Sequence, residues 1–221
     1  MDKQVSVLKS ALLNIIRLTT VYLLFSSAFL LMLQTIVPHL TLGDHVGFLQ
    51  EKQAYINDPI WRTAFYIHVF SSILTLLAGA TQFSGYILRH HKKLHRIMGR
   101  IYVWDILLIN FPTGMILALN ANGAWHTSLA FVILDCLWFA FTLKAVLEIK
   151  KKKIAAHRNF MIRSYALTLS AIALRSWKII LTNTTSLDPA IIYMMDAWLG
   201  FVPNLLLAEW LIRIRLSNKL S

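Results

Sequence analysis

Four histidines, His68, His95, His126 and His157, are the residues of this sequence best suited to chemistry. A neutral imidazole nitrogen ligates iron, while the opposite ring nitrogen can be fixed by an acceptor behind it. Two axial imidazoles from facing helices hold a b-type haem, and two stacked haems give electrons a route through a membrane. The positions imply an outer pair, His68 with His126, and an inner pair, His95 with His157, each around one haem iron. Guanidinium binds carboxylate bidentately and keeps its charge in poor solvent, so Arg175 could clamp outer propionates and Arg96, Arg100, Arg158 and Arg163 inner ones. Without a Cys-x-x-Cys-His attachment, the expected cofactor is two non-covalent haems b.

A second set of polar residues supports a different chemistry. Asp105, Asp135, Arg175, Lys178 and Asp196 all fall inside apolar stretches, where charge must face the bundle interior, pair, neutralise or line a wet cavity. They describe a buried polar network, with Arg175 able to pair with Asp196 or Asp135 as a structural tie. Around Arg175 they could equally bind an anionic or amphipathic small molecule. Histidines at membrane boundaries, for their part, stay hydrated, and the His-Arg pairs can serve as basic anchors for anionic lipid.

These groups need membrane helices to position them. The 221 residues are 57% apolar and only 14% charged, against roughly a quarter charged in a soluble domain. That is more apolar surface than a core of this size hides, so lipid must take the rest. The net charge of +12 does not indicate nucleic-acid binding, because the basic residues sit in short clusters between long apolar segments. The lone cysteine, Cys136, excludes an internal disulfide and, inside an apolar stretch, reads as a small core residue rather than a reactive thiol.

Six stretches have the required 17 to 25 or so residues: about 18–37, 63–88, 98–119, 125–147, 160–181 and 190–212. The first run ends at Pro38-His39-Leu40 with no small-x-small cleavage site, which marks a retained span rather than a signal peptide. Loops alternate between basic and nearly Lys/Arg-free. Lys3, Lys9 and Arg17, then Arg89 to Arg100, then Lys150 to Arg163, then Arg213, Arg215 and Lys219 form the basic set; only Lys52 and Arg62 lie on the other side. The expected fold is therefore an all-α, polytopic six-helix bundle, a single transmembrane domain over 1–221 with both termini cytoplasmic. Trp61, Trp125 and Trp198 fall near the outer boundaries, as interfacial indoles do, and the 38–62 loop can hold an amphipathic segment on the membrane.

Two segments echo each other. His95-Arg96 with Arg100-Ile101-Tyr102 and His157-Arg158 with Arg163-Ser164-Tyr165 suggest a helix pair used twice, over 63–119 and 125–181. Pro112 predicts a kink in the third span, and Gly79 and Gly85 predict close helix packing. There is no nucleotide-binding glycine loop, zinc-protease motif or nucleophile elbow.

The chain resembles a family of bacterial predicted membrane proteins of unknown function. The likeness rests on His68, Gln82-Phe83, Arg89, Leu94-His95-Arg96, Gly99 to Tyr102, His157-Arg158, Met161 to Tyr165 and Leu174-Arg175. That family brings a membrane assignment and no chemistry. A more remote resemblance is to the six-helix diheme b-type cytochromes, in which the second and fourth helices hold one haem and the third and fifth the other. It implies transmembrane electron transfer, an oxidoreductase of the bacterial cytoplasmic membrane taking electrons from a quinol or cytoplasmic reductant to an outward-facing acceptor. The alternatives are a non-redox transporter or small-molecule binder with a polar cavity around Arg175, or a structural membrane scaffold. Lipid is the one certain partner, nucleic acid is none, and an oligomer is compatible with the sequence.

Overall fold

Aspartate and proline set where two of the long helices begin. Asp58 precedes Pro59 and accepts hydrogen bonds from the Ile60 and Trp61 N–H groups; Asp188 precedes Pro189 and accepts from Ala190. Proline has no N–H to lose in a first turn, and the carboxylate satisfies donors left over there. The computed structural model describes residues 2–217, without the side chains of residues 2–10, 14, 17, 18, 21, 22, 24, 25 and 28. The side chains of Lys3, Lys9, Arg17 and part of the expected first span, and the whole of Lys219, lie outside that description.

The chain divides into two compact units, Met1–Gly43 and Asp44–Ser221. The first contains α1 (Asp2–Ile36) and a 3₁₀ turn, Val37–Thr41, whose proline stops the α-helix. Leu42 closes that turn in the left-handed region, its N–H donating to the His39 carbonyl at 3.1 Å.

The second unit contains a 3₁₀ turn, Gly47–Lys52, then α2 (Pro59–Gln82), α3 (Gly85–His90), α4 (Lys92–Trp104), a π-helical turn (Asp105–Asn110) and α5 (Phe111–Leu119). After the Asn122-Gly123 turn come α6 (Ala124–Lys150), α7 (Ile154–Thr168), α8 (Ser170–Thr184), α9 (Pro189–Leu199) and α10 (Val202–Ser217). Among the described residues four helical stretches are long and apolar enough to cross a bilayer: Pro59–Gln82, Lys92–Leu119, Ala124–Lys150 and Pro189–Ser217. The protein is all-α, polytopic and membrane-embedded.

Three departures from the expected spans have local causes. The second span stops at Gln82, because Ser84 caps a separate short helix by accepting from the Ile87 N–H at 3.3 Å. The fifth is divided between α7 and α8, 15 residues each, at Leu169, where ψ opens to −9°. In the third, Pro112 withholds its N–H, and the preceding turn loosens so that the Phe111 N–H reaches the Ile106 carbonyl five residues back.

The core joins α2, α4, α6, α7 and the α9–α10 stretch through Ala78, Tyr102, Ile106, Ala130, Trp138, Met161, Leu167, Ala197 and Phe201. A β-carbon on Gly79 would sit 2.6 Å from the Tyr165 ring and 2.7 Å from that of Tyr102, so this glycine does mark close packing. Gly85 does not: the nearest atom to its added carbon is the flexible end of Arg89, 3.7 Å away.

The loop ahead of α2 has a small core of its own. Leu49, Ile56, Trp61 and Phe65 are buried together, with Phe48, Tyr55 and Tyr66 packed around them. Trp61 is thus a core residue stacked between Tyr55 and Phe65 rather than an interfacial indole, whereas Trp125 is exposed. The buried Lys52 holds the loop down by donating to the Asn120 carbonyl, and the Asn122 amide donates to the Glu51 carbonyl at 3.2 Å.

Candidate functional site

The polar residues of the apolar spans collect into two clusters. One begins on α2, where His68, Ser71 and Thr75 fall at helical spacing along one face. The His68 Nδ1 is 3.3 Å from the Thr113 hydroxyl, and the ring also lies within hydrogen-bonding reach of the Asn110 backbone. Ser71 donates to the Asn110 side-chain carbonyl at 3.2 Å, and the Asn110 amide donates to Thr75 at 3.0 Å. Thr75 in turn donates to the Asp105 carboxylate. The π turn makes this possible by bringing Asp105 and Asn110, five residues apart, to the same side.

Gly114 is where this cluster meets the next helix. A β-carbon there would lie 3.1 Å from both Asp135 carboxylate oxygens and 3.2 Å from the His68 ring. Imidazole and carboxylate therefore face each other across the missing side chain. Arg175, on α8, is close enough to His68 for their charges to interact, and its Nη1 donates to the Ala171 carbonyl at 2.5 Å. Asp196, on α9, is 1% exposed. Among the described residues neither Asp196 oxygen has a hydrogen-bond partner, and Asp135 Oδ2 and Asp105 Oδ1 have none. In a bilayer interior such orphaned acceptors are costly.

The second cluster lies between α4, α6 and α7. The Tyr102 hydroxyl is 2.8 Å from both Ser164 and Thr168, the Trp138 indole donates to Thr168 at 3.2 Å, and Thr142 is 2.7 Å from Ser164. All five side chains are buried and every hydroxyl has a partner.

The expected haem residues are distributed unequally. His95 and His157 are near enough to feel each other's charge, and the His157 Nδ1 is 2.8 Å from the Ala145 carbonyl, a contact that puts the ring proton on Nδ1 and the lone pair on Nε2. Deeper in the bundle, Tyr102 and Tyr165 of their two helices close on Gly79 of α2, and Gln82 of α2 lies against Gly99 of α4. His126 is not brought to His68. It is exposed, two residues into α6 and 3.8 Å from the Trp125 ring, whereas His68 lies nine residues into α2. Among the described residues no group of three or more His, Cys, Asp or Glu is placed to hold a metal ion.

The arginines also separate. Arg163 is held by Glu209 through two bonds of 2.5 and 2.8 Å and lies over the Phe141 and Phe160 rings. Arg96, Arg100 and Arg158 are exposed, and Arg96 donates to the Lys92 carbonyl. Lys178 leaves the expected buried network: it is 46% exposed and bound to Glu51 of the loop at 3.2 Å.

Sequence reasoning missed Ser71, Thr75, Asn110, Thr113, Gly114, Thr142, Ser164 and Thr168. One signal was present: Ser71 with Thr75, Trp138 with Thr142, and Ser164 with Thr168 are polar pairs four residues apart inside apolar spans. No curated protein and no solved structure matches the chain. A family model described as predicted membrane protein (DUF2306) matches residues 65–212, the stretch that supplies every residue of both clusters, and the chain belongs to that family.

Proposed function

We propose that this protein is a membrane-embedded small-molecule binder or transporter whose site is the His68, Thr113, Gly114, Asp135, Arg175 and Asp196 cluster. The observation that carries the reading is the orphaned acceptors: Asp135 and Asp196 are 6% and 1% exposed, yet present carboxylate oxygens without hydrogen-bond partners. A scaffold gains nothing from such groups, since an apolar pair of the same volume would hold the helices together better. The test is access. In a Cys136→Ala background, Thr113→Cys should react with a small hydrophilic methanethiosulfonate reagent in proteoliposomes. Complete protection, with the same residue labelled after denaturation, would leave the cluster as a sealed structural element.

A second reading, haem-mediated electron transfer, is supported by the inner histidines. His157, with its Nδ1 held by Ala145, and the neighbouring His95 are the residues that would ligate a haem iron, which would supply one-electron chemistry. The tyrosine packing around Gly79 has to open for a porphyrin to enter between their helices. Protein from haem-replete cells should then be red, and His95→Ala or His157→Ala should each abolish the same low-spin signal. A colourless, folded preparation removes this reading.

A further inference from the structure

The π turn borders a groove on the lipid side of the bundle. Ile101, Trp104, Asp105 and Leu108 recur at helical spacing along α4 and the turn that follows it, and with Leu74 of α2 and Ile109 they line an open groove of about 350 Å³. Leu74, Trp104, Leu108 and Ile109 are exposed, and all six residues belong to stretches apolar enough to cross a bilayer, so the groove opens to lipid.

Asp105 is the carboxylate on this wall, and it is half answered. Thr75, next to Leu74, donates to its Oδ2, and Asn110 donates to Thr75 in turn. Oδ1 has no partner among the described residues, although the side chain is 4% exposed. A proton shared between Thr75 and Oδ2 leaves Oδ1 an acceptor, because the Thr75 hydroxyl also has the Ser71 carbonyl 3.4 Å away. The missing partner is therefore a donor, and the groove is where it can enter. Phospholipid headgroups are badly placed to supply it. Asp105 lies seven residues beyond Met98, where the expected third span opens, about 10 Å into the hydrocarbon at 1.5 Å per residue. A charged head drawn to that depth loses its hydration, whereas a neutral hydroxyl on an apolar body loses far less. A hydroxyl both donates and accepts, and the wall carries one group of each kind: the Asp105 acceptor and Trp104, whose indole N–H only donates.

We infer that this groove binds a lipid-soluble alcohol, whose hydroxyl donates to Asp105 Oδ1 and whose apolar chain lies along Ile101, Trp104 and Leu108. An apolar slot with one or two placed polar groups is the usual build of a small-molecule site. The groove is separate from the site proposed around Asp135 and Asp196 and does not depend on it.

The experiment is photolabelling of the full chain in proteoliposomes of phosphatidylcholine, whose headgroup carries no N–H, with a dodecanol bearing a diazirine at its chain end and adducts mapped by peptide mass spectrometry. Saturable labelling is expected around Leu74 and from Trp104 to Ile109. Dodecanol should displace it at a mole fraction at least tenfold lower than dodecyl methyl ether, which fits the same groove but has no O–H. Asp105→Leu should erase that difference, and Leu108→Trp, a change on the lipid-facing wall, should abolish saturable labelling at an unchanged melting temperature. Equal displacement by the ether overturns the inference, because any apolar chain would then do. Displacement by phosphatidylethanolamine at the mole fraction of dodecanol overturns it too, since a headgroup would be the donor, as does labelling spread without saturation over the lipid-facing surface or left intact by Leu108→Trp. If Asp105→Leu fails to fold, the alcohol-to-ether ratio of the unaltered protein decides.

Discussion

Two polar clusters of similar size sit in the same bundle and differ in one respect. Around Tyr102, five side chains from α4, α6 and α7 satisfy one another completely. Around Asp135 and Asp196 the helices bring acceptors together and leave them unanswered. The same low dielectric strengthens a closed network and penalises an open one, so the first fastens its helices and the second is the cluster to which the binding reading is attached. Their neighbouring glycines agree: Gly79 is filled by tyrosine rings, whereas Gly114 faces a carboxylate and an imidazole.

The largest effect should come from forcing the closed side. Gly79→Leu puts a β-carbon 2.6 Å from Tyr165 and drives the rest of its side chain into the same rings, beyond the ordinary overpacking cost of about 1–3 kcal/mol. The variant should lose its sharp size-exclusion peak in detergent. A monodisperse variant of unchanged melting temperature would mean that these three helices are not closely packed.

A matched pair of substitutions then separates the two clusters. Tyr102→Phe removes a hydroxyl bonded to Ser164 and Thr168, which keep their bonds to Thr142 and Trp138, so the loss is that of buried hydrogen bonds worth about 0.5–1.5 kcal/mol each. Asp196→Asn removes no hydrogen bond and relieves a buried charge, so its melting temperature should equal or exceed that of the parent. The reverse order of stabilities would abolish the distinction between fastening and site.

The smallest effect concerns the loop that covers this end of the bundle. Burial pushes the Lys52 ammonium down from its usual 10.5 to about 8, with Glu51 opposing the shift. A folded pKa below the unfolded one means that the unfolded chain holds more protons between these values, so stability rises with pH from about 8 to 10.5 and this contribution is flat below 8. Comparing melting temperatures at pH 7.5 and 9.5, Lys52→Met should lack the part of the rise that the parent shows. Parallel profiles would place the Lys52 ammonium in water.

Periodicity and composition carried much of the fold. Long apolar runs, with Asp-Pro and Asn-Gly between them, located most of the helices to within a turn or two, because lipid requires every backbone N–H and C=O to be satisfied within the helix. The same runs could not report the loosening at Asp105–Asn110, where the turn ahead of Pro112 widens, or the break at Leu169. That His68, Asp105, Asp135, Arg175 and Asp196 fall inside apolar stretches was legible, and with it the cost of the charged ones within lipid.

What the sequence determined by itself is that Asp105, Asp135 and Asp196 had to turn inward, since a carboxylate well inside an apolar span has nowhere else to go; Lys178, nearer a helix end, escaped. Tertiary structure decided which of them meet. His68 faces Asp135 rather than His126 because Gly114 leaves the gap between α2, α5 and α6, and Lys178 joins Glu51 because the loop folds back on its own aromatic core. One-dimensional spacing fixes depth and face on each helix. The rotation of one helix against the next, which sets the partners, comes from packing Tyr102, Trp138 and Phe201 among five helical segments at once.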